Sequence, residues 1–432
     1  MTLQDKPDTM CLAPWTHTYL SPQTERRMCC ASREPAQNFE QYIDTKSGTG
    51  QYIPITLEQH WNSEHMKSVR RRMMAGETLP ECEVCNDKLL NTSVYRDYFT
   101  HLFAHKIPEI FASTHADGTT SLQPVSWDYR FSNLCNFKCR MCGDMLSSSW
   151  ESEQKSHDMV NWADPKNNWM QPDIRGQIRE FQAGPVEAEF AAAVERHEVE
   201  EVYWVGGEPL MYEQHWRYMR RIVELGNGKN VYARYNTNLS RVDYRGINLF
   251  RDILNHVRDY QICASLDGTG AIGEYIRTGL DYREWLSNYR QAIEHRRYSR
   301  QCRIDFTLTL PGLFDIENIL ALAKETSSEI LAKVVFAFTP DIILSPLALP
   351  RKILDRIIES AIPGTRGALR DVLNQLGTRP TFEEQWPDTY RAALSRGKAR
   401  ILELERIRGD DYTLADILLQ DPEADEWYQS IP

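Results

Sequence analysis

Six short apolar segments, separated by amphipathic stretches, occupy the middle of the chain. Each has the length of a buried β-strand, and helical patterns such as EQHWRYMRRIVEL at 213–225 lie between most neighbouring segments. Strands that alternate with helices form parallel βα units, so the pattern predicts an α/β fold. The predicted strands are 125–131, 201–207, 231–238, 260–267, 303–310 and 332–339.

The regions on either side of these units differ in composition. Residues 1–120 mix Pro, Gly, Ser and Thr with short helical patterns, which predicts an irregular, cysteine-rich N-terminal segment. Residues 346–432 have helical periodicity and are predicted to form a C-terminal cap. The core between them, 121–345, contains a long insertion at about 150–180. The predicted fold class is therefore α/β, a partial (β/α)6 TIM-like barrel whose chemistry lies at the C-terminal strand ends.

Composition argues against several classes of protein. The 432 residues are 41% hydrophobic and 26% charged, which is typical of a globular chain, and the formal net charge is -11. This acidic balance disfavours nucleic-acid binding through a basic surface. No segment approaches the roughly 18 apolar residues of a membrane span, and the N-terminus lacks a secretory pattern. We expect a cytoplasmic protein without membrane or nucleic-acid partners, in which clustered thiols indicate metal or redox chemistry.

Three of the ten cysteines lie close together after the first predicted strand. Cys135, Cys139 and Cys142 form a C-x3-C-x2-C triplet, which chance would produce only about 0.005 times at this cysteine usage. Soft thiolates bind iron–sulfur clusters or zinc, and a 4Fe–4S cluster normally takes four cysteine ligands. Three ligands would leave one iron open, whereas a zinc site would need a fourth ligand from elsewhere in the chain.

The triplet resembles the signature of the radical S-adenosylmethionine (SAM) superfamily. The resemblance implies that Cys135, Cys139 and Cys142 hold a 4Fe–4S cluster and that SAM binds its open iron. Met141 stands where the family usually has an aromatic residue near the adenine, and it retains an apolar contact. The resemblance further implies a radical SAM oxidoreductase or maturase that cleaves SAM reductively to a 5′-deoxyadenosyl radical. Ferredoxin or flavodoxin would supply the electron, and the radical would abstract hydrogen from a substrate.

Residues after the later strands resemble the SAM-binding motifs of the same superfamily. Gly206, Gly207 and Glu208 match a Gly-Gly-Glu motif that holds the SAM amino group, and glycines allow close backbone approach. Asp267 is a tentative catalytic residue. Four further residues are candidates for contacts with SAM or the substrate: Asn236, Asn238, Ser265 and Arg277. An arginine fork suits the SAM carboxylate. The alternative is that these residues only cap strand ends and turns.

The N-terminal segment contains further cysteines, namely Cys11, Cys29, Cys30, Cys82 and Cys85. Distant parts of a chain often supply the ligands of one metal site. The CLAPW segment and the Cys29–Cys30 pair resemble the twitch or SPASM auxiliary-cluster module of radical SAM enzymes, although here the module precedes the barrel. The resemblance implies a second 4Fe–4S cluster on Cys11, Cys29, Cys82 and Cys85, with Cys30 as the alternative to Cys29. A zinc site on the same four residues is the other possibility.

The substrate is not specified by any motif. The auxiliary-module resemblance implies modification of a ribosomally made peptide, and a sugar or other small metabolite is the second substrate class. A fully ligated auxiliary cluster would accept an electron from the product radical, whereas a cluster with an open iron would bind substrate. The alternative from another class is a non-catalytic iron–sulfur or zinc carrier. The VGGEPL segment at 205–210 and the pair Ser265 and Arg277 argue against it, because a carrier has no need to bind SAM.

Overall fold

The structure, a computed structural model, describes residues 6–33, 52–86, 95–334 and 342–432. Eight of the strands in these residues form one sheet in the order β10-β9-β8-β5-β4-β3-β1-β2, and β6 and β7 form a separate hairpin. The strands are β1 (His17–Leu20), β2 (Arg26–Arg27), β3 (Ser126–Tyr129), β4 (Glu201–Trp204), β5 (Tyr232–Thr237), β6 (Asp243–Tyr244), β7 (Ile247–Asn248), β8 (Asp259–Ser265), β9 (Cys302–Leu308) and β10 (Glu329–Val334).

Helices precede, connect and follow these strands. Within the described residues they are α1 (Ala13–Thr16), α2 (Leu57–Trp61), α3 (Glu64–Met74), α4 (Glu83–Asn86), α5 (Tyr95–Leu102), α6 (Ile107–Ser113), α7 (Ser148–Ser156), α8 (Pro172–Phe181), α9 (Glu187–Glu195), α10 (Glu213–Glu224), α11 (Gly270–Ile276), α12 (Tyr282–His295), α13 (Ile316–Glu325), α14 (Arg351–Ala361), α15 (Gly367–Thr378), α16 (Phe382–Gln385), α17 (Tyr390–Arg408), α18 (Leu414–Leu418) and α19 (Pro422–Gln429). None of the helices in the described ranges is long and apolar enough to cross a membrane.

The predicted α/β fold class is confirmed. All six predicted strands are present, as β3, β4, β5, β8, β9 and β10. The pairs β3–β4, β4–β5, β8–β9 and β9–β10 are parallel, and the described part of the sheet does not close into a barrel. The last strand begins at Glu329, three residues before its predicted start at 332, and the predicted residues 335–339 lie outside the described ranges.

The chain divides into two compact units. The first contains Met1–Cys135, Asp144–Tyr235 and Asp243–Tyr260. In this unit β1 runs parallel to β3, and β2 pairs antiparallel with β1. The N-terminal segment, predicted to be irregular, therefore adds two strands to the sheet. The sequence pattern missed β1 because only Tyr19 and Leu20 of its four residues are apolar, so HTYL forms no apolar run.

From Asp144 onward, the long connection between β3 and β4 also belongs to the first unit. It folds into α7, α8 and α9, with a π-helical turn at Gln182–Val186 between the last two. Pro185 lies inside this turn, and because proline cannot donate a backbone N–H, it interrupts the regular α-helical hydrogen bonding there. The predicted insertion is thus helical.

The second unit contains Asn136–Gly143, Asn236–Val242 and Gln261–Pro432. Its strand β9 shows how a polar site can lie on a sheet with an apolar core. Ile304, Phe306 and Leu308 are fully buried on one face, while the alternate residues Arg303 and Asp305 carry charges on the other. From Arg351 onward the described elements are helices, as predicted for the C-terminal region.

Candidate cofactor site

The C-x3-C-x2-C loop follows β3, and none of its three cysteines forms a disulfide. Cys135 belongs to the first unit, and Cys139 and Cys142 belong to the second. Cys139 is buried and the other two are half-buried. The Cys142 N–H donates to the Cys139 carbonyl at 2.9 Å, which closes a tight turn between these two cysteines. The Cys135 N–H donates to the Ser148 hydroxyl at 3.2 Å, next to the start of α7.

In the second unit, the loop pairs with the segment that follows α11. The Lys138 N–H donates to the Thr278 carbonyl and the Arg140 N–H donates to the Ile276 carbonyl, both at 2.8 Å. This antiparallel pairing places Cys139 opposite Arg277. The Arg277 Nη1 lies 3.8 Å from the Cys139 Sγ, so the predicted carboxylate-binding arginine contacts a predicted cluster ligand.

Arg277 also forms a buried ion pair with Asp267. The Arg277 Nε lies 2.8 Å from the Asp267 Oδ2, and the Asp267 Oδ1 accepts a hydrogen bond from the Thr307 N–H at 2.7 Å. Burial raises the pKa of Asp267, and the Arg277 charge opposes that shift. Both carboxylate oxygens of the tentative catalytic residue therefore contact protein groups, and these contacts orient Arg277.

Burial has a large effect on the loop thiol that faces Arg277. It raises the pKa of Cys139 to about 12, while the charge of Arg277 acts in the opposite direction. A thiol with this pKa is neutral at pH 7, and binding a metal centre would displace its proton. Three thiols on one loop match the donor set that iron–sulfur clusters require, so the residues present fit such a cluster.

In the first unit, the Gly-Gly-Glu motif packs against the residues that precede Cys135. A Cβ atom on Gly207 would lie 2.2 Å from the Leu134 carbonyl oxygen, so only glycine fits at this position. Gly206 has a φ of 127°, a backbone conformation that residues with a side chain rarely adopt. The Glu208 N–H donates to the Leu134 carbonyl at 2.7 Å, and the buried Glu208 carboxylate accepts from the Leu210 N–H at 3.0 Å.

The remaining predicted SAM contacts lie in the second unit. The Asn236 amide donates to Asp305 Oδ2 at 2.9 Å, and Ser265 is the register partner of Asp305. The Asn238 amide donates to the Asn136 side chain at 3.0 Å, so Asn238 is bound to the cysteine loop. Met141 is half-buried in the same loop.

The N-terminal cysteines surround a cavity within the first unit. This cavity is small, and its lining includes Cys11, Cys29, Cys82 and Cys85. Cys30 is not among the described lining residues. Cys11 lies two residues before α1 and Cys29 lies two residues after β2, whereas Cys82 ends the turn Pro80–Cys82 and Cys85 lies in α4.

Burial changes the acidity of these thiols in the same direction as that of Cys139. It raises the pKa of Cys11 to about 12, that of Cys82 to about 11 and that of Cys29 well above its usual value. Four thiols around one cavity match the donor set of a closed 4Fe–4S cluster. In the described ranges, no group of three or more His, Cys, Asp or Glu side chains is arranged around a single metal-ion position.

Comparison with known protein families gives a match in the middle of the chain. Residues 129–324, which include the cysteine loop and all the predicted SAM contacts, match the family model of the radical SAM superfamily. This match to a radical SAM domain supports an enzymatic function with a 4Fe–4S cluster and SAM as cofactors. Among curated proteins there is no significant match.

Solved structures show weak similarity to the chain. Native anSMEcpe with bound AdoMet and Cp18Cys peptide is 14% identical, with a TM-score of 0.35 over 54% of this chain and 57% of that one. SuiB from Streptococcus suis bound to S-adenosylmethionine is 17% identical, with a TM-score of 0.35 over 64% and 55%. SuiB bound to the precursor peptide SuiA is 15% identical, with a TM-score of 0.34 over 74% and 61%. The chain thus spans between 55% and 61% of the chains in these three structures.

The sequence analysis missed two charged residues on the polar face of β9 and β10. The Lys333 ammonium lies 3.1 Å and 2.9 Å from the two oxygens of Asp305, on neighbouring strands β10 and β9. A signal for Asp305 was present, because the polar residues Arg303, Asp305 and Thr307 alternate with apolar ones in RIDFTLTL. No comparable pattern marked Lys333, because the apolar run from Ala332 onward placed the start of the predicted strand three residues too late.

Replacing Gly207 with alanine is expected to lower the free energy of unfolding by about 1–3 kcal/mol, because the new methyl group overlaps the Leu134 carbonyl. Denaturant unfolding of the iron-free chain measures the change. Gly143→Ala is the matched control, since no described atom lies within 4 Å of its Cβ position and its φ is not positive. Equal stabilities for the two variants would contradict the close approach at Gly207.

Replacing Asp267 with asparagine is expected to lower the free energy of unfolding by about 3–5 kcal/mol, because it leaves the buried Arg277 charge without its partner. Denaturant unfolding measures the loss. In the control Asp281→Asn, asparagine caps α12 as well as aspartate does, so the expected change is below about 0.5 kcal/mol. If Asp267→Asn unfolds like this control, the ion pair does not stabilise the fold.

Proposed function

We propose that this chain is a radical SAM enzyme in which Cys135, Cys139 and Cys142 hold a 4Fe–4S cluster with one open iron for SAM. One observation carries the proposal: the superfamily match includes all three reduced cysteines of the C-x3-C-x2-C loop. When bound, the cluster and SAM supply a one-electron cleavage to methionine and a 5′-deoxyadenosyl radical, which takes a hydrogen atom from the substrate. Ferredoxin or flavodoxin is the proposed electron donor.

The chain's own residues bind and orient SAM in this proposal. Arg277 binds the SAM carboxylate, and Asp267 acts as a positioning residue that holds the Arg277 Nε. The Asp267 carboxylate raises the pKa of Arg277 although burial opposes the charge, so the guanidinium stays positive. Glu208 binds the SAM amino group, and Gly206 and Gly207 keep the backbone close to the loop. Met141, Asn236, Asn238 and Ser265 complete the proposed cofactor contacts.

We propose that the polar inner face of β9 and β10 contacts the substrate. Asp305 is buried, whereas 49% of the Lys333 side chain is exposed. The exposed ammonium can therefore contact a polar group of a substrate while Asp305 fixes its position. A ribosomally made peptide is the proposed substrate class, which rests on the resemblance of the N-terminal cysteines to the twitch or SPASM module.

The four cysteines of the N-terminal cavity are proposed to hold a second 4Fe–4S cluster. Four cysteine ligands fill all four iron positions, which favours electron transfer over substrate binding. Arg96 also lines the cavity and hydrogen-bonds to Cys82. A cation beside a cluster stabilises its reduced form, so Arg96 favours electron acceptance from the product radical.

In this proposal, 1–120 is an auxiliary-cluster segment, 121–345 is the radical SAM core and 346–432 is a helical C-terminal region.

The proposal is tested on the full chain, reconstituted anaerobically with iron and sulfide. Dithionite and SAM are expected to yield 5′-deoxyadenosine, measured by mass spectrometry. A chain that holds iron but yields none would be an electron carrier instead.

The substrate class is tested separately with isotope transfer. Any short peptide encoded by a neighbouring gene is prepared with deuterated side chains and incubated with the active protein. Deuterium in 5′-deoxyadenosine identifies the peptide as the hydrogen donor. Transfer from a deuterated sugar, without transfer from the peptide, would assign the second substrate class.

A further inference from the structure

An arginine within the cysteine loop forms contacts that the proposed chemistry does not use. Arg140 lies between Cys139 and Cys142, and its side chain is completely buried. Its Nη1 donates to the Thr278 hydroxyl at 2.7 Å and to the Tyr275 carbonyl. Its guanidinium lies 3.8 Å from the centre of the Tyr275 ring.

The charge partner of Arg140 comes from the distant C-terminal region of the second unit. The Arg140 Nη2 forms an ion pair with the Asp410 carboxylate, although the two residues are 270 positions apart in the sequence. Asp410 lies two residues after the end of α17, and only 16% of its side chain is exposed. A buried guanidinium without a counter-charge is strongly destabilising, so Asp410 determines whether Arg140 can stay in place.

The turn that carries Asp410 is itself attached to the same region. The Asp410 N–H donates to the Glu405 carbonyl at 3.1 Å. One Glu405 carboxylate oxygen accepts from the Tyr275 hydroxyl at 2.8 Å and from the Leu414 N–H at 2.9 Å. Residues 405–414 are therefore connected to the cysteine loop in two ways. Glu405 binds the Tyr275 hydroxyl, whose ring lies against Arg140, and Asp410 forms the ion pair with Arg140.

We propose that Asp410 is a positioning residue for the 4Fe–4S cluster, acting through Arg140. The Arg140 N–H donates to the Ile276 carbonyl, and its guanidinium binds the Asp410 carboxylate. These two contacts fix both the backbone and the side chain of the residue that lies between Cys139 and Cys142. The C-terminal turn 405–414 is thereby part of the cofactor site. The inference rests on the proposed function, because it assumes that the loop holds the SAM-binding cluster.

The test compares Asp410→Asn with Asp411→Asn in the reconstituted full chain. Asp411 is the adjacent, exposed aspartate, so its change alters the charge equally without touching Arg140. The readout is the electron paramagnetic resonance signal of the reduced cluster that shifts when SAM is added. Its decay in the presence of an iron chelator is followed. Asp410→Asn is expected to lose this signal about tenfold faster than wild type, and Asp411→Asn at the wild-type rate.

Two further variants separate positioning from general loss of folding. Asp410→Glu keeps the charge and is expected to restore slow decay. Tyr275→Phe keeps the ring beside Arg140 but removes the hydroxyl that contacts Glu405, and a smaller acceleration is expected. If Asp410→Asn does not fold, the decay rate of the cluster signal in Tyr275→Phe tests the inference instead.

The outcomes distinguish the inference from the proposed function. Decay rates equal to wild type in every folded variant would overturn the inference alone. A wild-type chain without any SAM-responsive signal would overturn the proposed function, and the inference with it.

Discussion

Replacing Cys142 with alanine is expected to reduce 5′-deoxyadenosine formation to the level of a protein-free control. Two thiolates cannot hold a cluster with a single open iron, so SAM would lose the metal position at which its cleavage begins. The iron content should fall from about eight to about four atoms per chain, because the second cluster uses other cysteines. Iron analysis and mass spectrometry of the reaction with dithionite and SAM measure both effects.

The matched control for this prediction is Cys302→Ala. Cys302 is also a free cysteine of the second unit, but it is buried at the start of β9, with its Sγ 3.4 Å from the Ala292 carbonyl. This variant should keep its iron and its activity. If Cys142→Ala still forms 5′-deoxyadenosine at the wild-type rate, the loop does not hold the reactive cluster. Zinc in place of the four iron atoms would favour the zinc alternative.

The strands could be predicted because five of the six keep an apolar face with few interruptions. The exception is the last strand, β10. In β10, Glu329 and Lys333 lie on the polar inner face, so the apolar-run criterion found only the second half of the strand. The short β1 was missed for a different reason, because only Tyr19 and Leu20 of its four residues are apolar. Strand positions are therefore predicted most reliably where an apolar run extends along the whole strand.

The residues of the candidate site also differ in whether the sequence alone could predict them. Cysteine spacing is a local property, so the loop could be found from the sequence, as could the Gly-Gly-Glu motif. The ion pair between Arg140 and Asp410 could not, because only the fold brings residues 270 positions apart into contact. The contact between Asp305 and Lys333 depends on the register of two strands, which periodicity alone does not specify.

Replacing Cys29 with alanine is expected to remove the second cluster while leaving SAM cleavage intact. Cys29 lines the N-terminal cavity together with Cys11, Cys82 and Cys85, so its loss breaks the set of four ligands. Iron should fall from about eight to about four atoms per chain, and 5′-deoxyadenosine should still form with dithionite. Conversion of the substrate should stop, because the product radical would lose its electron acceptor.

The adjacent Cys30→Ala variant makes the prediction specific. The Cys30 thiol is hydrogen-bonded to Tyr95 and is not part of the described cavity lining, so this variant should keep about eight iron atoms per chain. The opposite result, iron loss in Cys30→Ala but not in Cys29→Ala, would exchange the two residues as ligands. Zinc bound in proportion to Cys29 would instead identify a structural metal site. Electron transfer from the product radical would then need another acceptor, because zinc has no accessible redox change.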